Sequence, residues 1–251
     1  MGFNDQGGTI VEMDFEAPPA LSELCISSPE APATRELPLA QNQLKIRLAN
    51  TEARDHSASL LLDKMYSWRG YMAATRFDGI PNRVTLVAAL HQHVVGTLTL
   101  CFDSTVGLPA DEIFKDKLDQ LRNNDCRLCE PSRFAVDHNI NSKRVLAALF
   151  HIAYIHAKNI FGQTDFVIEV NPRHVGFYQK MLGFTVFCEE RTCLRVGAPA
   201  VLLRLNLDYV VGQIEKFGGK QETVRDQRTL YPYFFSPADE IGITKRLLRE
   251  I

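Results

Sequence analysis

The chain has no apolar run long enough to cross a bilayer, which takes about 20 residues. Residues 1–9 lack the basic and apolar blocks of a secretory signal. Both absences point to a cytoplasmic protein. Cysteine is sparse, six in 251 residues, which suits a reducing compartment where thiols stay free. No internal repeat is visible, and no Ser, His and Asp stand at the spacing of a hydrolytic triad. His91 and His93 fall at a hairpin turn, and His151 and His156, five apart, do not share a helix face.

An excess of positive charge is also missing. The formal net charge is −2, and residues 1–38 alone carry seven acids against one base. The remainder therefore has 27 bases against 23 acids, a net of +4. That surplus is too small and too dispersed for a nucleic-acid-binding protein. It suits an anionic substrate or acidic partner, or is ordinary surface charge. The apolar fraction of 45% is that of a soluble globular chain.

Residues 1–41 are acidic and rich in Pro, Ser and Ala, with Pro18, Pro19, Pro29, Pro32 and Pro38 opposing both helix and central strand. A disordered or loosely attached tail is expected there, followed by one domain over 42–251. Alternation in Leu44-Lys45-Ile46-Arg47-Leu48 predicts the first strand. Leu60, Leu61, Met65 and Trp68 recur at helical spacing within 51–74. Two Val, Leu and Thr-rich runs, 83–90 and 94–102, predict a hairpin, and Pro109, Asp111 and Glu112 open a helix to about 121. A strand at 127–136, a long helix at 141–160 and a buried strand at 165–170 follow. Pro172 opens the next helix and Gly183 ends it. Strands near 184–190 and 200–207 and a C-terminal region with two short helices complete an α/β (α+β) order.

Two segments carry the chemistry. The first is Cys129-Glu130-Pro131-Ser132-Arg133-Phe134-Ala135-Val136-Asp137. It resembles the Glu-x-Ser-Arg-Phe motif of the acyl-homoserine-lactone synthases and the N-acyl amino acid synthases. The second is Asn171-Pro172-Arg173-His174-Val175-Gly176-Phe177-Tyr178-Gln179-Lys180-Met181-Leu182-Gly183-Phe184. It resembles the strand–helix–strand signature late in the GNAT acyltransferase fold. The resemblance spans residues 42–251. It implies a central mixed, twisted sheet splayed between two parallel strands, 127–136 and 165–170, with helices on both faces. The acyl thioester would lie in the gap, where backbone N–H groups without a sheet partner can stabilise an oxyanion.

Glu130 and Arg133, three apart, would point to opposite faces of a regular strand. Pro131 between them cannot donate to a ladder and marks a bulge or an interruption of the sheet, which could turn both toward one cleft. Glu130 is then the candidate general base for an incoming amine. Arg133 would hold the acceptor's carboxylate or brace Glu130. The alternative is a salt bridge closing a strand end. By resemblance, Tyr178 protonates the leaving thiolate, although four residues rather than the usual three separate it from Gly183. The alternative is a packing pair with Phe177. Phe134, Val136 and Asn171 fall on the thioester side by the same resemblance. Tyr66, Arg69 and Tyr71 match the helix–loop that folds over the acceptor, or belong to an exposed amphipathic helix.

The loop after Val136 has no glycine, whereas coenzyme A-dependent relatives carry a glycine-rich pyrophosphate cradle there. Ser142, Lys143 and Arg144 at a helix start suit the single phosphate of phosphopantetheine, unless Asn141 or Ser142 merely caps the helix. An acyl-carrier-protein thioester is thus the expected co-substrate and partner, ahead of acyl-coenzyme A, with no bound cofactor. The aromatic run 230–237 lines an acyl tunnel or, as expected here, packs the core. Cys126-x-x-Cys129 and Cys188 with Cys193 look like two halves of a zinc pattern, but the GNAT strand order separates them, so no metal is expected. The reading is a transfer of a fatty acyl group to the amine of an amino acid, giving a product that partitions to membranes. The alternatives are a lactone synthase, for which the acidic run after the first helix is lacking, an acyl-coenzyme A N-acyltransferase, and a non-catalytic acyl-binding module.

Overall fold

Apolar side chains on alternate positions of β-branched-rich segments need a sheet with one face against a core, and the described residues build one sheet of eight strands. The computed structural model describes residues 9–14, 43–49, 58–62, 82–90, 93–137, 143–193, 197–222 and 228–249. Its strands are β1 (Thr9–Asp14), β2 (Gln43–Leu48), β3 (Arg83–Leu90), β4 (His93–Phe102), β5 (Leu128–Val136), β6 (Asp165–Val170), β7 (Thr185–Cys193) and β8 (Ala198–Asn206). They form one sheet in the order β1-β2-β3-β4-β5-β6-β8-β7. Every neighbouring pair is antiparallel except β5 with β6, which is parallel.

Helices cover both faces. Helix α1 is described over 58–62 and packs Leu61 and Leu62 against Ala135. Helix α2 (Asp111–Arg122) buries Phe114, Leu118 and Leu121 on the same side. Each such side chain contributes about 1.5–3 kcal/mol on leaving water. The opposite face carries α3 (Lys143–Tyr154), which continues as a π-turn (Ile155–Ile160), together with α4 (Val175–Leu182), α5 (Leu207–Phe217) and α6 (Pro237–Leu247). Gly183 ends α4 at φ +81°, a left-handed conformation that favours glycine.

The expectation of a loose tail does not hold for residues 9–14. Thr9–Asp14 is a paired edge strand with Ile10 fully buried, and Glu12 pairs with Lys45 at 3.2 Å. The prolines that follow it mask a short apolar alternation, and tertiary pairing with β2 decides it. The expected helix at 141–160 also changes character, since its last six residues form the π-turn. The aromatic C-terminal run is core: Tyr231 is buried, its hydroxyl donates to the Leu182 carbonyl, and Phe234 stacks on His151. Among the described residues, no helix is long and apolar enough to cross a membrane.

Candidate active site

The parallel pair β5–β6 is brief. Leu128 faces Asp165 and Cys129 faces Phe166, and the pairing then stops. Pro131 supplies a cause. The Leu128 carbonyl accepts from Asp103 N–H on the β4 side, so by alternation the nitrogen of Pro131 faces β6. It has no hydrogen to give, and a third parallel link is lost. Beyond Cys129, β5 stays with β4 while β6 continues along β8 to Val170. The strands diverge, and no further β5–β6 pair follows among the described residues.

The bulge lies two residues later than Pro131 invites. Thr99 faces Ser132 and Thr97 faces Ala135, so Arg133 and Phe134 together oppose Leu98. Arg133 takes the extra turn at φ +46°, a left-handed conformation costly for a residue with a Cβ. Pro131 itself keeps register with Leu100. The bulge switches Phe134 and Val136 to the α3 face, while Glu130 and Ser132 keep to the α2 face.

Glu130 is only 3% exposed. Its Oε2 accepts from Ala110 N–H at 2.9 Å. Ala110 precedes α2 and offers no capping side chain, so the carboxylate sits favourably at the positive end of that helix. A second network holds this helix start. Arg122 meets both oxygens of Asp103 at 2.7 and 2.9 Å, both oxygens of Asp111 at 2.8 and 2.7 Å, and Asp119 at 2.8 Å. Asp111 also accepts from Leu108 N–H at 2.7 Å. The loop from β4 to α2 is thereby clamped with Ala110 aimed at Glu130. Sequence reading missed this clamp because its three acids are scattered over 103–119.

The two motifs meet through one aromatic side chain. Phe150 of α3 lies 5.1 Å, centroid to centroid, from Phe134 and 6.3 Å from Tyr178, with the Tyr178 ring edge-on. Tyr178 also packs edge-on against Phe177 and Phe184. Asn171 ends β6 and caps the short 3-10 turn Pro172–His174. Its Oδ1 accepts from Arg173 N–H at 3.3 Å, and its Nδ2 donates to the Pro199 carbonyl at 3.4 Å. At the start of α3, Lys143 lies 5.7 Å from the Tyr233 ring centre. Arg144 donates to Gln221 at 3.1 Å and to the Asp14 carbonyl at 3.4 Å. Ser142, Tyr66, Arg69 and Tyr71 lie outside the described residues.

Sequence reading also missed a polar floor on the α2 face. Arg83, Cys101 and Glu130 stand side by side on β3, β4 and β5, and Thr85, Thr99 and Ser132 form the next row. Thr85 and Thr99 share a hydroxyl hydrogen bond of 3.0 Å, and Ser132 Oγ lies 3.5 Å from Cys101 Sγ. Burial pushes the Cys101 thiol up. The Ser132 hydrogen bond and the charges of Arg83 and Arg133 oppose this, and the charge of Glu130 adds to it. The row was legible in the polar alternation of Arg83, Thr85, Thr97 and Thr99, but its register was not. The four cysteines of the zinc-like pattern divide between β5 or its lead-in and β7, with β6 and β8 between them. Among the described residues no cluster is placed to hold a metal ion.

The fold agrees with known proteins. The family model described as "N-acyl amino acid synthase FeeM" matches residues 57–206, well over half the chain. The solved structure of FeeM, an N-acyl amino acid synthase from uncultured soil microbes, superposes with a TM-score of 0.61 at 26% identity. That match covers 67% of this chain and 92% of FeeM. The lactone synthase LasI matches at 13% identity and TM-score 0.44, covering 66% of this chain and 91% of its own. An acyl-CoA N-acyltransferase from Pseudomonas aeruginosa matches at 12% and 0.47, covering 65% and 99%. No curated protein sequence matches. The sheet with its single parallel pair is that of the GNAT acyltransferases, and the chain is an acyltransferase belonging to the N-acyl amino acid synthase FeeM family.

Proposed function

We propose that the protein moves a fatty acyl group from an acyl-carrier-protein thioester to the α-amine of an amino acid. The observation that carries this reading is the divergence of β5 from β6 at Pro131, with Glu130 on one face of β5 and the Phe134–Phe150–Tyr178 junction on the other. The thioester carbonyl lies in the divergence, and N–H groups of β5 receive the developing oxyanion. Glu130 takes a proton from the acceptor's ammonium, and the free amine attacks the carbonyl carbon. Arg133, in the bulge, braces Glu130. As the C–N bond forms and the C–S bond breaks, Tyr178 protonates the departing thiolate and is recharged by the second proton leaving nitrogen. One proton is released per turnover. Phe134 and Val136 line the acyl side, with Asn171 at its far end.

The glycine-free loop after Val136 favours acyl-carrier-protein over coenzyme A, with Lys143 and Arg144 at the start of α3 near the pantetheine phosphate. The free thiols of the described cysteines suit a cytoplasmic enzyme whose product partitions to membranes.

The test is a reaction of the purified full chain with long-chain acyl-carrier-protein or acyl-coenzyme A and each of the twenty amino acids, read by mass spectrometry. N-acyl amino acids are expected, formed much faster from the carrier protein. Glu130→Gln, which keeps an acceptor for Ala110, should slow transfer about 100-fold without unfolding the chain. Equal rates from the two donors would remove the carrier-protein assignment, and equal turnover in the variant would remove Glu130. A lactone formed from S-adenosylmethionine, or tight acyl binding with no product, would replace the reading altogether.

A further inference from the structure

The row Arg83, Cys101, Glu130 has a feature the acyl-transfer steps do not use. Arg83 opens β3 and is half-buried, yet its guanidinium has no hydrogen bond or ion pair among the described residues. Arginine carries five donors in a rigid fork, and a half-buried fork left idle is uncommon. The neighbouring polar groups are already engaged with one another: Thr85 with Thr99, and Ser132 with Cys101 and the Thr99 carbonyl. They form a floor and offer Arg83 no anion.

The register fixes what lies opposite. Arg83 pairs directly with Cys101, and Cys101 pairs directly with Glu130. Directly paired residues project to the same face of a sheet. That face is the one covered by α2, because Cys101 packs with Phe114 and Leu118 while Leu100 and Phe102 join the opposite core. The shared electrostatic influence of Arg83 and Glu130 on the Cys101 thiol agrees with this placement. Two strand spacings, about 10 Å, separate the backbones of Arg83 and Glu130. On the row itself, Cys101 stands between them.

We propose that Arg83 is the specificity residue that reads the acceptor's α-carboxylate, so that a free amino acid binds as a zwitterion across Cys101 with its ammonium at Glu130. This rests on the acceptor being an amino acid, as argued above. It assigns the carboxylate to Arg83 and leaves Arg133 to the bulge and to Glu130. A cation and an anion held on one rigid row select a substrate carrying both charges at a fixed separation. An amine without a carboxylate satisfies only half of the row, and an acceptor whose carboxylate is masked as an amide leaves the fork idle.

The test compares the amino acid the wild type acylates best with its α-carboxamide, in wild type, Arg83→Met and Arg83→Lys. The readout is the ratio of kcat/KM for acid over amide. Wild type should favour the acid. The ratio should fall about 30-fold in Arg83→Met, through KM for the acid, and recover in part in Arg83→Lys. Calorimetric titration of the amino acid into each protein should show the same order of Kd. A ratio that stays at the wild-type value in both variants would overturn the assignment, as would parallel losses for acid and amide. Failure of the underlying reading looks different: wild type itself would acylate no amino acid from either donor.

Discussion

Histidine 156 should weaken this protein, and removing it should help. The residue lies in the π-turn that continues α3 and is 3% exposed. Neither ring nitrogen has a hydrogen-bond partner among the described residues. A neutral imidazole carries one donor and one acceptor, and a buried group left unsatisfied costs about 1–3 kcal/mol. Burial also pushes the ring's pKa down to about 4. The unfolded state, titrating near 6.5, then binds more protons than the native state between pH 6.5 and 4. Stability therefore rises with pH across that window and is fully regained above it. The shift implies a loss of about 2.5 kcal/mol at pH 4.5 relative to neutral pH. His156→Leu, which is similar in volume, should raise stability by about 2 kcal/mol at pH 7 after repacking losses. At pH 4.5 the advantage should grow to about 4–5 kcal/mol. Urea unfolding at the two pH values, read by circular dichroism, measures both. A variant destabilised at pH 7, with the wild type's dependence on pH, would refute the reasoning and show that the ring has partners the protein needs.

Other consequences follow from the site and its supports. Tyr178→Phe keeps the ring contacts with Phe150 and Phe184 and should slow thiol release at least 10-fold; unchanged single-turnover rates would return Tyr178 to packing alone. Arg122→Met removes the clamp on Asp103 and Asp111 and should cost about 2 kcal/mol. It should also speed hydrogen exchange at Ala110, and an unchanged exchange rate there would separate the clamp from the site. His151 accepts from Phe235 N–H at 2.9 Å through Nδ1 and lies 3.1 Å from Glu240 through Nε2. Burial holds its pKa down, against the pull of Glu240. His151→Phe should loosen residues 230–247 toward proteases, and equal cleavage rates would contradict this.

Much of this architecture is written in local pattern. The run at 165–170 is apolar and short, and it is a buried strand with those bounds because strands flank it on both sides. Gly183 stops α4 because its backbone needs a positive φ. Glu130, Arg133 and Tyr178 were visible as motif residues, but their relation was not. Pro131 announces an interruption, and the structure divides its effect in two: the parallel pairing ends at Cys129, and the bulge falls on Arg133. A bulge position depends on which strand the chain pairs with, and local sequence does not state that. The same holds for Arg83, whose meaning comes from standing opposite Cys101 and two strands from Glu130. Thr9–Asp14 was hidden by its composition, since an edge strand needs only one partner and one buried side, here supplied by β2 and Ile10.

The central claim is that the divergence of β5 from β6 holds a pantetheine-linked acyl chain. A crystal structure with an acyl-pantetheine thioether, which cannot transfer its chain, tests it most directly. The account predicts the sulfur between the strands beyond Cys129 and Phe166, with the chain against Phe134, Phe150 and Tyr178. A thioether bound elsewhere, with the two strands hydrogen-bonded past Pro131, would contradict it.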